Sequence, residues 1–130
     1  FYTPDIDIDA GSMVKGKSFS TPEEQSETLR WIAIMSRRIS CNLAASTGIH
    51  TGEDVIKMIL AGAPVVQVAS TLYQNGPDQI GRMLKRIESW MEQKGYDSIE
   101  AFRGRATEEY EKNPAVFERM QFMKHYSEIG

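Results

Sequence analysis

The residues with the most chemistry to offer in this 130-residue chain sit in two short turns, Thr47-Gly48-Ile49 and Ala69-Ser70. A glycine between a strand and a helix lets the main chain come close to an oxyanion, and a helix starting at Thr51 offers N–H donors and the positive end of its dipole. Ala69 and Ser70 add a small side chain, a backbone N–H and a hydroxyl. Together the two turns make a cradle for one dianionic group, such as a phosphate, without any lysine. A lone glycine between strand and helix more often serves plain turn geometry, so the weight of this pattern rests on the scaffold around it.

Other reactive side chains have simpler explanations. Cys41 stands at an expected strand start with no histidine partner in view and reads as a buried structural cysteine. His50 follows the first turn and reads as a loop histidine orienting the next helix, ahead of a ligand contact. Glu53 and Asp54 fall in the first turn of that helix, where capping and the dipole explain them better than acid/base work. Asp5, Asp7 and Asp9 alternate along one strand face without the glycine and distant glutamate of a calcium loop, so solvated carboxylates are expected and no metal site. Tyr73 follows the second turn, from which it can line a pocket. Tyr110, Phe117, Met120, Phe122, Met123 and Tyr126 read mostly as core.

Composition bounds the rest. With 41% hydrophobic and 25% charged residues the chain can bury one modest core. A net charge of -3, with Lys and Arg scattered, gives no basic surface for a nucleic-acid backbone. A single cysteine excludes an intrachain disulfide, and the apolar runs are too short for a membrane span, so a cytoplasmic protein without membrane or nucleic-acid partners is expected. The chain opens on Phe1 in place of methionine, which predicts that upstream chain has been lost or removed.

The elements that must position the two turns alternate between strand and helix. Asp5-Ile6-Asp7-Ile8-Asp9 has period two and fits a strand end. Ser20-Thr21-Pro22-Glu23-Glu24 starts a helix running to about Arg38, with Leu29, Ile32, Ala33 and Ser36 on one face. Ile39 to Ala45 predicts a strand, followed by the first turn and a helix from Thr51 to Gly62. Pro64-Val65-Val66-Gln67-Val68 predicts another strand, then the second turn and a helix from about Pro77 to Lys94 stopped by Gly95. Two consecutive β/α units imply parallel strands, whose C-terminal ends are where ligands bind. Further helix starts are expected near Ser98 and Pro114, with Phe102, Val116, Phe117, Met120 and Met123 as apolar partners.

The stretch Leu43-Ala44-Ala45-Ser46-Thr47-Gly48-Ile49-His50-Thr51-Gly52-Glu53-Asp54-Val55-Ile56-Lys57, followed by Leu60-Ala61-Gly62-Ala63 and Val66-Gln67-Val68-Ala69-Ser70, resembles the final β/α units of the dihydroorotate dehydrogenase family. The opening Phe1-Tyr2-Thr3-Pro4-Asp5-Ile6-Asp7 and the later Gly76-Pro77 and Trp90-Met91 are similar to its dihydroorotate dehydrogenase-like branch. The resemblance covers nearly the whole chain. It implies an FMN-dependent barrel of pyrimidine metabolism, in which a dihydropyrimidine ring passes hydride to the flavin N5 while a side-chain base removes a proton. It further implies that a Gly-Gly turn and a later Gly-Thr pair hold the flavin phosphate, and these fall here on Thr47-Gly48, with Ile49 beside it, and Ala69-Ser70. Gly48 keeps the second glycine and Ser70 the hydroxyl. Thr47 and Ala69 each add a side chain where glycine is usual, which bears on how closely a phosphate approaches. The family's catalytic serine or cysteine, flavin-contacting lysine and pyrimidine-gripping asparagines belong to earlier strands, and no segment here resembles them. No catalytic residue is assigned.

The resulting expectation is an α/β chain forming the C-terminal portion of a (β/α)8 TIM barrel. Residues 1–95 supply its last two to three β/α units and residues 96–130 a helical C-terminal extension. A complete barrel takes about 250 residues. The remaining strands are therefore expected from a missing N-terminal part, or the chain satisfies its sheet edges by self-association. Two readings stand: the phosphate-gripping part of an FMN oxidoreductase, whose flavin and dihydropyrimidine-type substrate belong to the parent protein, and a noncatalytic partial barrel that associates with itself or another chain.

Overall fold

The fold is seen in a computed structural model that describes residues 4–111. Strand β1 (Pro4–Asp7) pairs antiparallel with β2 (Ser12–Lys15), with Pro4 opposite Lys15. The turn between them is closed by the Asp7 carboxylate, which accepts from the N–H groups of Asp9 and Ala10, and by Gly11 at φ +61°. Sequence reading finds β1 through its alternation but misses β2, whose Ser-Met-Val-Lys has no period-two pattern. Asp5, Asp7 and Asp9 are exposed, as expected.

A 3-10 turn (Pro22–Glu24) leads into α1 (Gln25–Met35), and the Glu24 carboxylate reaches back to accept from the Thr21 N–H. This is the predicted start, made by capping. The helix stops three residues short of Arg38, because the N–H groups of both Arg38 and Ile39 turn onto the Met35 carbonyl. Its expected inner face holds: Ile32 is buried, Leu29 and Ala33 pack on the core, and the Ser36 hydroxyl donates to the Ala61 carbonyl (3.0 Å).

Strands β3 (Ala44–Ala45) and β4 (Val65–Val66) pair in parallel, Ala44 opposite Val65, and the Gln67 N–H extends the ladder onto the Ala45 carbonyl (2.8 Å). Both are shorter than the expected Ile39–Ala45 and Pro64–Val68. Strand-forming side chains make a strand only where a neighbour supplies hydrogen bonds, and each strand here has one neighbour among the described residues. Cys41 is a correction too: it is exposed, in the irregular stretch before β3, and so is not a core residue.

Helix α2 (Gly52–Ala61) follows β3; α3 (Ser70–Asn75) and α4 (Gln79–Lys94) follow β4. The one-and-a-half-turn α3 escapes sequence reading because Ser-Thr-Leu-Tyr-Gln-Asn shows no apolar period. Gly62 (φ +118°) and Gly95 (φ +73°) end α2 and α4 in the left-handed conformation, the latter where expected. Ile32, Ala45, Ile49, Met58, Ala61, Ala63 and Met83 form the core between α1, α2, α4 and the β3–β4 pair.

After Gly95 the chain returns through turns in place of the expected helix at Ser98, ending in a 3-10 helix (Arg105–Glu111). Fully buried Phe102 packs edge-on to Trp90 (5.0 Å between centroids) and beside Tyr96 (5.3 Å). The Gly104 N–H donates to the Ile59 carbonyl (2.9 Å), and the Arg37 guanidinium donates to the Gly104 carbonyl (2.8 Å) and the Thr107 hydroxyl. The Pro114 helix start and the residues Val116, Phe117, Met120, Phe122, Met123 and Tyr126 lie outside the described residues, as does the Tyr110 side chain. The outcome is a mixed α/β arrangement with two open two-stranded sheets. Among the described residues no helix is long and apolar enough to cross a membrane.

Candidate functional site

Because β3 and β4 run parallel and adjacent, the turns that follow them open on the same side. Thr47, Gly48 and Ile49 from the first and Ala69 and Ser70 from the second line one cleft of about 150 Å³. The structure therefore brings all five candidate residues together. Segment Lys17–Ser20, Glu24, Ser46, Gln67 and Val68 complete the lining. Lys17 corrects the expectation of a cradle without lysine. The Lys17–Ser20 stretch reaches the cleft from some fifty residues before Ser70, and nothing local in Lys-Ser-Phe-Ser marks that placement.

The first turn is held in an unusual backbone shape. Thr47 has φ +82° and Gly48 φ +75°, so two consecutive residues are left-handed. A β-branched residue there is strained. The strain is held from α1: the Thr28 hydroxyl shares its one proton between the Ser46 carbonyl (2.9 Å) and the more distant Thr47 carbonyl (3.3 Å). A Cβ on Gly48 would lie 2.3 Å from the Gln25 backbone nitrogen, so turn and helix start are in direct main-chain contact. Thr47→Gly is expected to raise stability by about 1 kcal/mol, the relief of left-handed strain less the entropy of a more flexible unfolded chain. Thermal unfolding checks this, and a lowered melting temperature counts against the strain.

The start of α2 is occupied by its own acid. The Asp54 carboxylate accepts from the N–H groups of His50 and Thr51 (3.0 Å each), while Asp54 N–H donates to the Thr51 hydroxyl (3.3 Å). This bears out capping as the role of Asp54 and leaves the α2 start without free donors at His50 and Thr51, whereas the N–H groups of residues 47–49 donate to no described residue. Burial acts to raise the Asp54 carboxyl, but hydrogen bonds from His50 N–H, the Gln25 side chain and Thr51 outweigh it and hold the group below its usual value. A carboxyl lowered in the folded state stabilises above its unfolded value of about 3.9 and loses that contribution as pH falls through the folded value. Asp54→Asn is therefore expected to cost about 1 kcal/mol near neutrality and to flatten the acid limb of stability against pH. Denaturant titrations across acid pH test it; parallel curves for the two proteins would exclude the role.

Glu53 bonds the Arg86 guanidinium on the surface, and that hydrogen bond is the main reason its carboxyl is lowered. His50 is buried and fastens the two β/α units: its carbonyl accepts from the Thr71 hydroxyl (3.0 Å) and the Gln79 amide (2.9 Å). Its Nε2 lies 3.4 Å from the Ser20 hydroxyl oxygen, and Ser20 in turn donates from both backbone N–H (2.9 Å) and hydroxyl (3.1 Å) to the Ser70 hydroxyl oxygen. Tyr73 does not line the cleft; it is 80% exposed and packs on Phe19 (5.6 Å), which takes the lining position. Among the described residues no cluster of His, Cys, Asp and Glu would hold a metal ion.

What this arrangement can do is bind and orient an anion. The donor set of hydroxyls, main-chain N–H groups and one lysine suits a phosphate. The volume is about half the lower end of the roughly 300–1,000 Å³ typical of sites that enclose a drug-sized ligand. The cleft is thus of a size for a phosphate group and too small to enclose a nucleotide-sized ligand.

A family model described as dihydroorotate dehydrogenase matches residues 7–91. The chain is similar to a probable dihydroorotate dehydrogenase A (fumarate) of Enterococcus faecalis, 46% identical over 61 residues, 47% of this chain and 20% of that protein. It is also similar to a putative dihydroorotate dehydrogenase A (fumarate) of Streptococcus pyogenes, 40% identical over 65 residues, 50% of this chain and 21% of the relative. A third relative is dihydroorotate dehydrogenase A (fumarate) of Lactococcus lactis subsp. cremoris, 41% identical over 58 residues, 45% of this chain and 19% of that protein. The chain spans about a fifth of the length of these curated relatives.

Proposed function

Since the chain belongs to the dihydroorotate dehydrogenase family, we propose that it supplies the end of a flavin-binding β/α barrel that grips the FMN phosphate, within an oxidoreductase acting on a dihydropyrimidine. One observation carries this reading: Thr47-Gly48-Ile49 and Ala69-Ser70 line a single phosphate-sized cleft at the C-terminal ends of two adjacent parallel strands. In eight-stranded barrels the last two such loops commonly form a phosphate site. FMN, when bound, supplies the hydride-accepting ring. This chain's own residues hold the other end: N–H groups of residues 47–49 and the Ser70 hydroxyl donate, and Lys17 adds positive charge. Residues 1–95 form the last β/α units and 96–130 an extension. The catalytic base and the pyrimidine-binding groups stand on strands beyond this chain.

A second reading, that the chain works as an associating partial barrel, is favoured by the β3–β4 pair. Parallel sheets are ordinarily covered on both faces, yet Val65 is 50% exposed and Ala44 is exposed. Further strands, from another copy or another chain, complete such a sheet.

Titration of the full chain with FMN and with riboflavin, read by flavin fluorescence, tests the first reading. FMN is expected to bind at least about tenfold more tightly, the value of a phosphate held by charge-assisted hydrogen bonds, and Ser70→Ala is expected to erode that preference. Equal affinity for the two flavins excludes it. Sedimentation of the same sample tests the second: a strictly monomeric chain that binds no partner ends the assembly reading.

A further inference from the structure

A hydroxyl has one proton to give and two lone pairs to receive with. The Ser70 oxygen receives twice from one residue, from the backbone N–H of Ser20 at 2.9 Å and from its hydroxyl at 3.1 Å. With both lone pairs engaged, Ser70 retains only its own proton, and it lines the cleft. The Ser20 proton is committed to Ser70, so the Ser20 oxygen meets His50 Nε2 (3.4 Å) as an acceptor, which places a hydrogen on that nitrogen. His50 is buried, and its main chain is held at its N–H by Asp54 and at its carbonyl by Thr71 and Gln79, so the ring enters the Ser20 contact from a fixed backbone position.

We infer that His50, Ser20 and Ser70 form a one-directional hydrogen-bond chain that fixes Ser70 as a donor to the cleft, making Ser20 a positioning residue for the ligand's anionic end. The inference rests on the phosphate reading above and deepens it, because it says why the cleft selects an acceptor oxygen. A ligand hydroxyl offering a proton would find no lone pair on Ser70. Segment Lys17–Ser20 is accordingly part of the site: it lines the cleft and orients a hydroxyl at the start of α3.

The test compares FMN and riboflavin affinities of the full chain for wild type, Ser20→Ala, Ser20→Thr and Ser20→Cys, with melting temperatures recorded. Ser20→Ala is expected to lower the preference for FMN by about fivefold, the worth of one ordered hydrogen bond, with riboflavin affinity unchanged. Ser20→Thr restores it. Ser20→Cys, with its weak S–H donor, repeats the loss and stands in if the alanine variant unfolds. In the ligand-free wild type at alkaline pH, the His50 ring nitrogens should show hydrogen on Nε2 by long-range proton–nitrogen correlation. A wild-type preference for FMN that survives Ser20→Ala, or hydrogen on Nδ1, overturns the chain of bonds alone. A wild type that does not distinguish FMN from riboflavin overturns the phosphate reading and this inference with it.

Discussion

Replacing Gly48 with alanine is expected to destabilise the chain by about 3 kcal/mol or more and to abolish any preference for FMN over riboflavin. Two costs add. An L-residue in the left-handed region costs roughly 1–2 kcal/mol, and Gly48 sits at φ +75°. The new methyl would also stand 2.3 Å from the Gln25 backbone nitrogen and 2.8 Å from its Cα, atoms that cannot rotate away. Overpacking of that kind typically costs a further 1–3 kcal/mol. Either α1 shifts or the turn does, and the Thr47-Gly48-Ile49 side of the cleft is lost in both cases. Urea unfolding measures the effect as a shift of midpoint at unchanged slope. A variant within about 1 kcal/mol of wild type would show that turn and helix start are not in the tight contact described.

The second large effect is at Phe102. Its side chain is fully buried against Trp90 and Tyr96, and two residues later Gly104 bonds Ile59 and Arg37. Phe102→Ala should cost about 3–5 kcal/mol, the usual range for an aromatic removed from a packed site. Phe102→Leu should cost substantially less, because it refills most of the volume. Near-ultraviolet dichroism of Trp90 and chemical unfolding together read the change. A loss under about 1 kcal/mol would mean that the segment after Gly95 contributes little to the fold.

What was legible in the sequence is what neighbouring residues decide. Thr21 with Glu24, Thr51 with Asp54 and Gly95 mark helix ends through groups three or fewer residues apart, and the structure has them all in place. The first turn was legible as well, because it precedes a well-capped helix; the second was legible only in its place after β4, since Ser70 already opens α3 in place of a turn leading to Pro77. Strand lengths were not: Ile39–Leu43 and Gln67–Val68 have the residue types for strand but no second neighbour to pair with. Cys41 illustrates the same limit, since its expected burial depends on a strand that begins only at Ala44. The least legible part of the site is Lys17–Ser20. Its local sequence marks Ser20 only as a helix start, yet its longest-reaching bonds are to His50 and Ser70, 30 and 50 residues away. Tyr73 and Phe19 differ for the same reason: adjacency in sequence to the second turn points to Tyr73, whereas the return of a distant segment places Phe19 in the lining.

The contact between the first turn and α1 makes binding and folding two sides of one equilibrium. Thr28 holds the Ser46 and Thr47 carbonyls, and the Gln25 backbone lies against Gly48. A ligand that needs residues 47–49 in the shape set by left-handed Thr47 and Gly48 binds only chains in which the start of α1 is formed. By mass action it stabilises that helix start by RT ln(1 + [L]/Kd), about 2.7 kcal/mol at a hundredfold excess over Kd. Conversely, any loosening of α1 is expressed at the cleft as weaker affinity, although none of the residues from Gln25 to Met35 lines it.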